Sequence, residues 1–357
     1  VFDIQNGIIP QVFDNVYVSP FGDDANSGID IESPFKTITH AINAIVADSL
    51  NPHTIYLSNG VYSPSSNGEN FPLHLSNYVS ISGESREGVI LDGEFSDIGY
   101  TLGGIINLNY ILYSSLEKMT IINGISFRGG GIYMYNSNPI LHNLLISNNY
   151  AGQFGGGLYM DQSDPMLSDV IIKLNSAGVN GGGVFLNSSN PTFTEDDRCN
   201  IYYNNSNSPS DSSRSIGSDL YSIPVDSIEF IYVPLDTFTV IEPTQYYAAP
   251  SDYYLFDIQY GMMELVSENL YISPQGDNSN SGLVPEFPLK TIRYALSIIQ
   301  GDSINAPTIY LLNGIYSPSE NGETFPLNIP SFITIIGESQ NGVIIDAEQS
   351  GNVISTE

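Results

Sequence analysis

Residues 2–94 of this chain recur without a gap as residues 256–348, a shift of 254 positions. Within this repeat, 24 of 40 aligned positions between 54–93 and 308–347 are identical. A shorter period lies inside the first copy. It is marked by glycine triplets, 26 residues apart, that begin at Gly129, Gly155 and Gly181. Nested periods of this kind are typical of a solenoid, in which each unit buries its apolar face against the next.

Each 26-residue unit contains two or three short strand patterns and no helical pattern. After the first triplet, apolar and polar positions alternate, which places Ile132 and Met134 on one face of a strand. The turn formers Ser137-Asn138-Pro139 follow, and a second apolar run begins at Leu144. Short strands without intervening helices predict an all-β solenoid, a parallel β-helix with coils about 4.8 Å apart. The triplets indicate positive φ angles or close backbone approach at a corner.

A helical pattern precedes the first coil, at about residues 33–47. Its apolar positions follow the spacing of one helix face: Ile38, Ala41, Ile42, Ile45 and Val46. Ser33 is the predicted N-cap and Pro34 the first helical residue. In the second copy Phe287 replaces Ser33, so the capping hydroxyl is absent there. We expect this helix to cover the open end of the β-helix, because bare strand edges aggregate.

These patterns predict two tandem modules. The first spans 1–254, with coils at about 54–206 and a Tyr- and Pro-rich closing and junction segment at 207–254. The second, 255–357, matches only the beginning of the first. We therefore expect the sequence to be a window on a longer repetitive protein, with any signal or anchor outside it.

The amino-acid composition limits the classes of partner that the chain could bind. Against 39 acidic residues stand 9 basic ones, for a net charge of −30, which opposes binding to nucleic acid. No apolar stretch is long enough to insert into a membrane. The single Cys199 excludes an intrachain disulfide framework. We expect an exported chain, extracellular or on the cell surface, whose partners are neighbouring modules, copies of itself or cell-surface glycans.

Two blocks carry a resemblance to known proteins. The segment from Tyr17 through Gly28 to Ile38 resembles the opening of pectate-lyase-like right-handed β-helix domains. The Gly-Gly-Gly-Ile-Tyr coils are similar to those of repetitive bacterial surface and secreted proteins, including polymorphic outer-membrane-protein-type repeats. The resemblance implies a right-handed β-helix. It leaves activity open, since the superfamily holds lyases, hydrolases, epimerases, adhesins and structural stalks.

Catalytic signals are sparse. The resemblance implies, for a lyase, an Arg or Lys base beside acidic calcium ligands, yet none of the basic residues near the coils, such as Arg128 and Lys173, lies in a repeated acidic constellation. A hydrolase needs two carboxylates about 5–10 Å apart. One dense acidic cluster interrupts the period of the coils, and it consists of Glu195, Asp196, Asp197 and Arg198. A solvated acidic loop explains the same residues.

Calcium is the one cofactor that the sequence suggests. Asp24, Asn26 and Asp30 alternate with other residues around Gly28, as the oxygen ligands of a calcium loop do, and Asp23 precedes them. In the second copy the corresponding residues are Asp277, Asn278, Asn280 and Val284. A polar turn before the helix accounts for the same residues.

Aromatic residues form two further candidate sites. Tyr133, Tyr159 and Phe185 occupy one column with one ring per coil. If Ile132 and Met134 face the core, this column faces outward, where it either stacks on itself or binds a sugar; with the opposite phase it is part of the core. Four tyrosines near the module junction are expected to pack one module onto the next. They are Tyr246, Tyr247, Tyr253 and Tyr254.

The hypothesis that follows is a non-enzymatic extracellular protein, structural or adhesive, in which tandem β-helix modules form a rod, stalk or filament. The alternatives are a polysaccharide lyase or hydrolase and a glycan-binding β-helix, either of them assisted by calcium.

Overall fold

A computed structural model of the chain describes residues 9–95, 102–206, 216–225, 230–262, 265–278, 280–301, 304–349 and 352–355. The chain divides into two compact units. The first comprises 1–206 and 217–260, and the second comprises 207–216 and 261–357.

The first part of the chain is almost entirely β-structure. Its strands are β1 (Val16–Val18), β2 (His53–Leu57), β3 (Gly60–Tyr62), β4 (Leu73–His74), β5 (Val79–Gly83), β6 (Val89–Asp92), β7 (Ile106–Asn109), β8 (Ser115–Ile122), β9 (Ile125–Arg128), β10 (Ile132–Tyr135), β11 (Ile140–Ser147), β12 (Tyr150–Phe154), β13 (Leu158–Asp161), β14 (Met166–Lys173), β15 (Ser176–Ala177), β16 (Val184–Asn187), β17 (Thr192–Phe193), β18 (Cys199–Tyr202), β19 (Asn205–Ser206), β20 (Leu220–Ile223), β21 (Ile231–Phe238), β22 (Ala248–Ala249) and β23 (Tyr254–Gly261). Helix α1 spans Ile38–Ala44, and a 3-10 turn spans Ser251–Tyr253.

The second unit repeats the beginning of this arrangement. Helix α2 (Ile292–Ile298) corresponds to α1. The strands are β24 (Leu270–Ile272), β25 (Thr308–Leu311), β26 (Gly314–Tyr316), β27 (Leu327–Asn328), β28 (Thr334–Gly337), β29 (Val343–Ile345) and β30 (Ile354–Ser355).

The predicted parallel β-helix is confirmed. Successive coils add strands to three sheets, and the third sheet extends over fewer coils than the other two. Their orders are β1-β2-β5-β8-β11-β14-β18-β21-β23, β4-β7-β10-β13-β16-β20-β22 and β9-β12-β15-β19. Strands β10, β13 and β16 pair in parallel with a shift of one 26-residue unit, so that Ile132 lies beside Leu158 and Leu158 beside Val184. These three side chains are fully buried in the core of the solenoid.

A column of amides also runs through the interior. The side chain of Asn149 donates to Asn175 (3.0 Å), that of Asn175 to Asn204 (3.0 Å), and that of Asn204 to Asp219 (2.9 Å). Asn175 also donates to the carbonyl of Ile146 (2.9 Å). The column satisfies backbone groups at one corner of successive coils, where burial without a hydrogen bond would destabilise the fold.

The glycine triplets have both of the predicted uses. Gly129 has a φ of 68°, in the left-handed region that disfavours a side chain. A Cβ atom on Gly130 would lie 2.5 Å from the carbonyl oxygens of Gly156 and Tyr150. The corner therefore closes only without side chains, and at the next coil a Cβ on Gly156 would lie 2.4 Å from the equivalent carbonyl oxygens.

The helix before the coils differs from its prediction. It begins after Thr37, whose hydroxyl accepts a hydrogen bond from the backbone N–H of His40 (3.1 Å), so Ser33 is not the N-cap. Residues 33–36 lie before the helix: Phe35 forms an isolated parallel bridge to Val18, and Asp24 accepts the N–H groups of Lys36 and Thr37. In the second unit Thr291 caps α2 in the same way, so the loss of Ser33 at Phe287 removes no cap.

Candidate functional site

A buried carboxylate lies at the N-terminus of each helix. Glu69 is 1% exposed, and its oxygens accept the N–H groups of Ile38 (2.6 Å) and Thr39 (3.0 Å) and the hydroxyl of Thr39 (2.6 Å). These are backbone donors that a helix leaves unpaired at its first turn. Burial raises the pKa of Glu69, and the hydrogen bonds oppose that shift.

The second unit repeats this contact. Glu323 is 1% exposed and accepts the N–H groups of Ile292 (2.7 Å) and Arg293 (3.0 Å), and burial raises its pKa. The sequence analysis missed both residues. The repeat could have identified both glutamates, because Tyr62–Glu69 and Tyr316–Glu323 are identical at every position except Ser66.

The first unit's calcium candidates form hydrogen bonds of their own around the turn before α1. Asp24 accepts the N–H groups of Lys36 (2.8 Å) and Thr37 (2.9 Å) and the hydroxyl of Thr37 (2.8 Å). Asn26 donates to the carbonyl of Pro34 (2.8 Å). Asp23 and Asp30 each accept an N–H group two residues ahead, in Ala25 and Glu32. This arrangement is a polar turn.

In the second unit Asn278 occupies the position of Asp24, and its side-chain oxygen accepts the N–H groups of Lys290 (2.9 Å) and Thr291 (3.1 Å). Asn280 donates to Pro288 as Asn26 does to Pro34, and Asp277 accepts through its backbone carbonyl from Asn280. Within the described ranges, no three His, Cys, Asp or Glu side chains gather in a geometry suited to a metal ion. Calcium binding stays a prediction.

The aromatic column stacks on itself. Tyr133 and Tyr159 lie 5.2 Å apart with a 3° angle between ring planes, and Tyr159 and Phe185 lie 5.3 Å apart at 5°. Tyr221 extends the stack, and Phe154 packs against Phe185. Tyr159 and Phe185 are each 2% exposed. Their ring faces therefore contact protein, and sugar binding by this column stays a prediction.

Arg128 lies beside the column. Its guanidinium is 5.6 Å from the ring centres of both Phe154 and Tyr159, and two of its nitrogens donate to Gln153 at 3.2 Å. Burial raises the pKa of Tyr133 to about 12 and also raises that of Asp161, which accepts from Asn187 (2.9 Å). A cation, an acid and phenols thus share this outer face of the first unit.

The acidic segment of the coils separates into two parts. Glu195, Asp196 and Asp197 are exposed. Arg198 forms an ion pair with Asp257, with 2.6 Å between Nη2 and Oδ2, and donates to the backbone carbonyl of Asp257 (3.0 Å). The arginine is thereby held by β23. A catalytic role of the segment stays a prediction.

The four tyrosines assigned to the junction contact one another in pairs. Tyr246 and Tyr247 meet edge to face at 5.0 Å, and Tyr253 and Tyr254 at 6.1 Å. Tyr254 also donates to the hydroxyl of Ser222 (2.6 Å) and packs against Phe256. These contacts lie within the first unit. Their part in joining modules stays a prediction.

A second tyrosine pair, which the sequence analysis did not single out, lines an open cleft. Tyr17 and Tyr56 stack at 5.4 Å, and Tyr56 is 38% exposed. The cleft has a volume of about 330 Å³ and is lined by Asn15, Tyr17, Ile31, Tyr56, Leu57, Ser58, Ser82, Gly83 and Glu84. The second unit contains the equivalent pair, Tyr271 and Tyr310, stacked at 5.2 Å.

A comparison with models of protein families finds a family that covers most of the chain. The family described as "Protein of unknown function (DUF1565)" matches residues 21–222 and 274–357. In a comparison with curated proteins, no significant match is found. Within the described residues, no helix has the length and apolar character that crossing a bilayer requires.

Solved structures of β-helix enzymes are similar to the chain in fold. Pectate lyase Pel9A matches with 12% identity and a TM-score of 0.43, over 95% of this chain and 79% of that enzyme. Pectin methylesterase PemA from Erwinia chrysanthemi matches with 14% identity and a TM-score of 0.34, over 94% of each chain. At these identities the likeness concerns the fold, and no activity is taken from it.

Proposed function

We propose that this chain, which belongs to the DUF1565 family of right-handed β-helix proteins, is a structural or adhesive repeat protein outside the cell. In this proposal its units are modules of a rod, stalk or filament, and the helices α1 and α2 cover the ends of the coils. Adhesion would use a surface that the modules present to glycans or to copies of the chain. The net charge of −30 keeps such a surface soluble and free of nucleic acid.

The observation that carries the proposal is that the two units share the same set of structural features. Each unit has a seven-residue helix with a Thr cap, a buried glutamate on its first N–H groups, and a stacked tyrosine pair. A catalytic centre is normally present once in an enzyme. A surface through which identical modules contact one another is instead expected in every unit.

Most of the charged side chains that could take part in catalysis already form hydrogen bonds or ion pairs within the protein. Glu69 and Asp24 bind backbone N–H groups, and Arg198 pairs with Asp257. Structural roles of this kind support a protein whose function lies in stiffness and lateral contact.

Electron microscopy of the chain, with calcium or with a chelator, tests the proposal. We expect elongated particles that associate end to end or side by side. A calcium dependence would implicate the turn of Asp24 and Asn26, and substitution of Asp24 by Asn would then remove it. Compact particles that remain separate under both conditions would contradict the assembly.

Polysaccharide cleavage is the second candidate, and the outer face with Arg128 and Asp161 favours it. There a carboxyl with a raised pKa and a cation lie near phenol groups. Incubation with pectin, polygalacturonate and neutral polysaccharides, followed by measurement of new chain ends, tests this function. Turnover that Asp161→Asn abolishes would replace the structural proposal; without turnover on any of these substrates, the enzymatic candidate is rejected.

A further inference from the structure

The outer face of the first sheet contains a column in which a stack of rings ends abruptly. Tyr17 is the register partner of Tyr56, Tyr56 of Ser82, and Ser82 of Glu117. Two rings therefore stack on neighbouring strands, and the third position carries a small hydroxyl side chain. Because neighbouring strands are about 4.8 Å apart, a third ring would fit above Ser82 on the free side of Tyr56.

The open cleft occupies this position. Ser82 and Gly83 form one side of it, and Tyr56 with Tyr17 forms another. Polar groups surround the space, from Asn15, Ser58 and Glu84. Asn15 is held in place by accepting the N–H of Thr54 (2.8 Å), and Glu84 by accepting that of Asn59 (3.0 Å). The cleft thus joins an aromatic face to hydrogen-bonding groups whose positions the fold determines.

We propose that this cleft binds one ring of a neutral oligosaccharide, which stacks on Tyr56 in the place of the missing third ring. A pyranose ring has an apolar face that packs on an aromatic ring and hydroxyl groups at its edge that bond to amide, hydroxyl and carboxylate oxygens. Among the described residues that line the cleft, Glu84 is the charged one, and with the net charge of −30 it disfavours uronate chains and phosphates.

The second unit supplies a comparison within the same chain. There Tyr310 is followed in register by Ile336, and Leu312 stands in the place of Ser58. An apolar side chain fills the third position, so we expect no sugar to stack at that pair. The inference therefore assigns one sugar site to the described part of the chain, at Tyr56, although both units contain the tyrosine pair.

Titration calorimetry with neutral oligosaccharides of glucose, xylose, mannose or N-acetylglucosamine, and with polygalacturonate as the anionic probe, tests the site. We expect one neutral oligosaccharide to bind with a Kd of about 0.01–1 mM and a stoichiometry of one per chain. Ser82→Ile, which copies the second unit, is expected to weaken binding at least tenfold. Tyr56→Ala, at an exposed position, is the second variant and is expected to have the same effect.

The matched control is Tyr113→Ala. Tyr113 also stacks on a tyrosine, Tyr78 at 5.4 Å, and it is 72% exposed, but it does not line the cleft. Binding by this variant should stay within twofold of the parent chain. Circular dichroism of all variants confirms that they are folded.

Several results would overturn the site: no binding of any neutral oligosaccharide at about 10 mM, equal binding by Ser82→Ile and the parent chain, two sugars per chain, or preference for polygalacturonate. The inference deepens the adhesive part of the proposed function, and the two fail separately. Elongated assemblies without sugar binding would reject the site alone, and sugar binding by separate particles would reject the assembly alone.

Discussion

The side-chain amide of Asn204 donates to Oδ1 of Asp219 at 2.9 Å, so an acid ends the buried column of asparagines. Asp219 is fully buried, and its Oδ2 accepts the hydroxyl of Thr239 (2.6 Å). Burial raises the pKa of Asp219 from its ordinary value of 3.8 to about 7, while the hydrogen bonds from Thr239 and Asn204 oppose the shift. In register Asp219 lies beside Gly183, the last glycine of a triplet, because Leu220 pairs with Val184.

The first prediction concerns pH. Because the folded pKa of Asp219 lies above the unfolded one, its stabilising effect is complete below about pH 4 and is lost as the pH rises to about 7. At about 1.4 kcal/mol per pKa unit, the loss is on the order of 4 kcal/mol. Asp219→Asn should match the parent chain near pH 4 and be more stable at pH 8. Urea unfolding at both pH values measures the difference, and an equal pH dependence of the two proteins would contradict the assignment.

Glu69 should matter for stability although it is an acidic residue in a very acidic chain. Glu69→Ala leaves the N–H groups of Ile38 and Thr39 without an acceptor in a buried place, which should lower the free energy of unfolding by about 2–4 kcal/mol. Glu32, an exposed residue of the same unit, provides the control, and Glu32→Ala should change stability by less than about 0.5 kcal/mol. Thermal unfolding compares them, and equal effects would show that the buried contact contributes nothing.

A glycine of the coil corner offers a test of the backbone packing. A Cβ on Gly156 would lie 2.4 Å from the carbonyl oxygens of Gly182 and Ser176, so Gly156→Ala must displace the backbone. We expect a loss of about 2–4 kcal/mol. In the same coil a Cβ on Gly152 would find its nearest neighbour at 3.7 Å, and Gly152→Ala should be nearly neutral. Chemical unfolding of both variants decides whether close approach explains the triplets.

The stacked column should contribute to the stability of the coils. Tyr159 is buried between Tyr133 and Phe185, and Tyr159→Ala removes both ring contacts, for an expected loss of about 3–5 kcal/mol. Tyr159→Phe keeps the stack and should cost less than about 1.5 kcal/mol. Unfolding by guanidinium measures both variants; similar losses in the two would point to the hydroxyl group instead of the stack.

The repeats were enough to predict the solenoid. Repeats of 26 residues place equivalent side chains one above another, so the alternation in a single coil already indicates the core column of Ile132, Leu158 and Val184 and the outward column of Tyr133, Tyr159 and Phe185. The corner positions of the glycine triplets and the presence of a helix before the coils were also predicted from the sequence. These features depend on short stretches of sequence and on a regular period.

Which polar residues are buried, and which groups they bind, depends on how coils from distant parts of the chain meet. Glu69 reaches the start of α1 from 31 residues away, and Asp219 meets Asn204 from 15 residues away. The gap above Ser82 arises because Tyr56 and Ser82 become neighbours through the pairing of β2 with β5. The contacts of Glu69 and Asp219 join residues that the 26-residue period does not connect, and their burial and charge depend on coils stacked from distant parts of the chain.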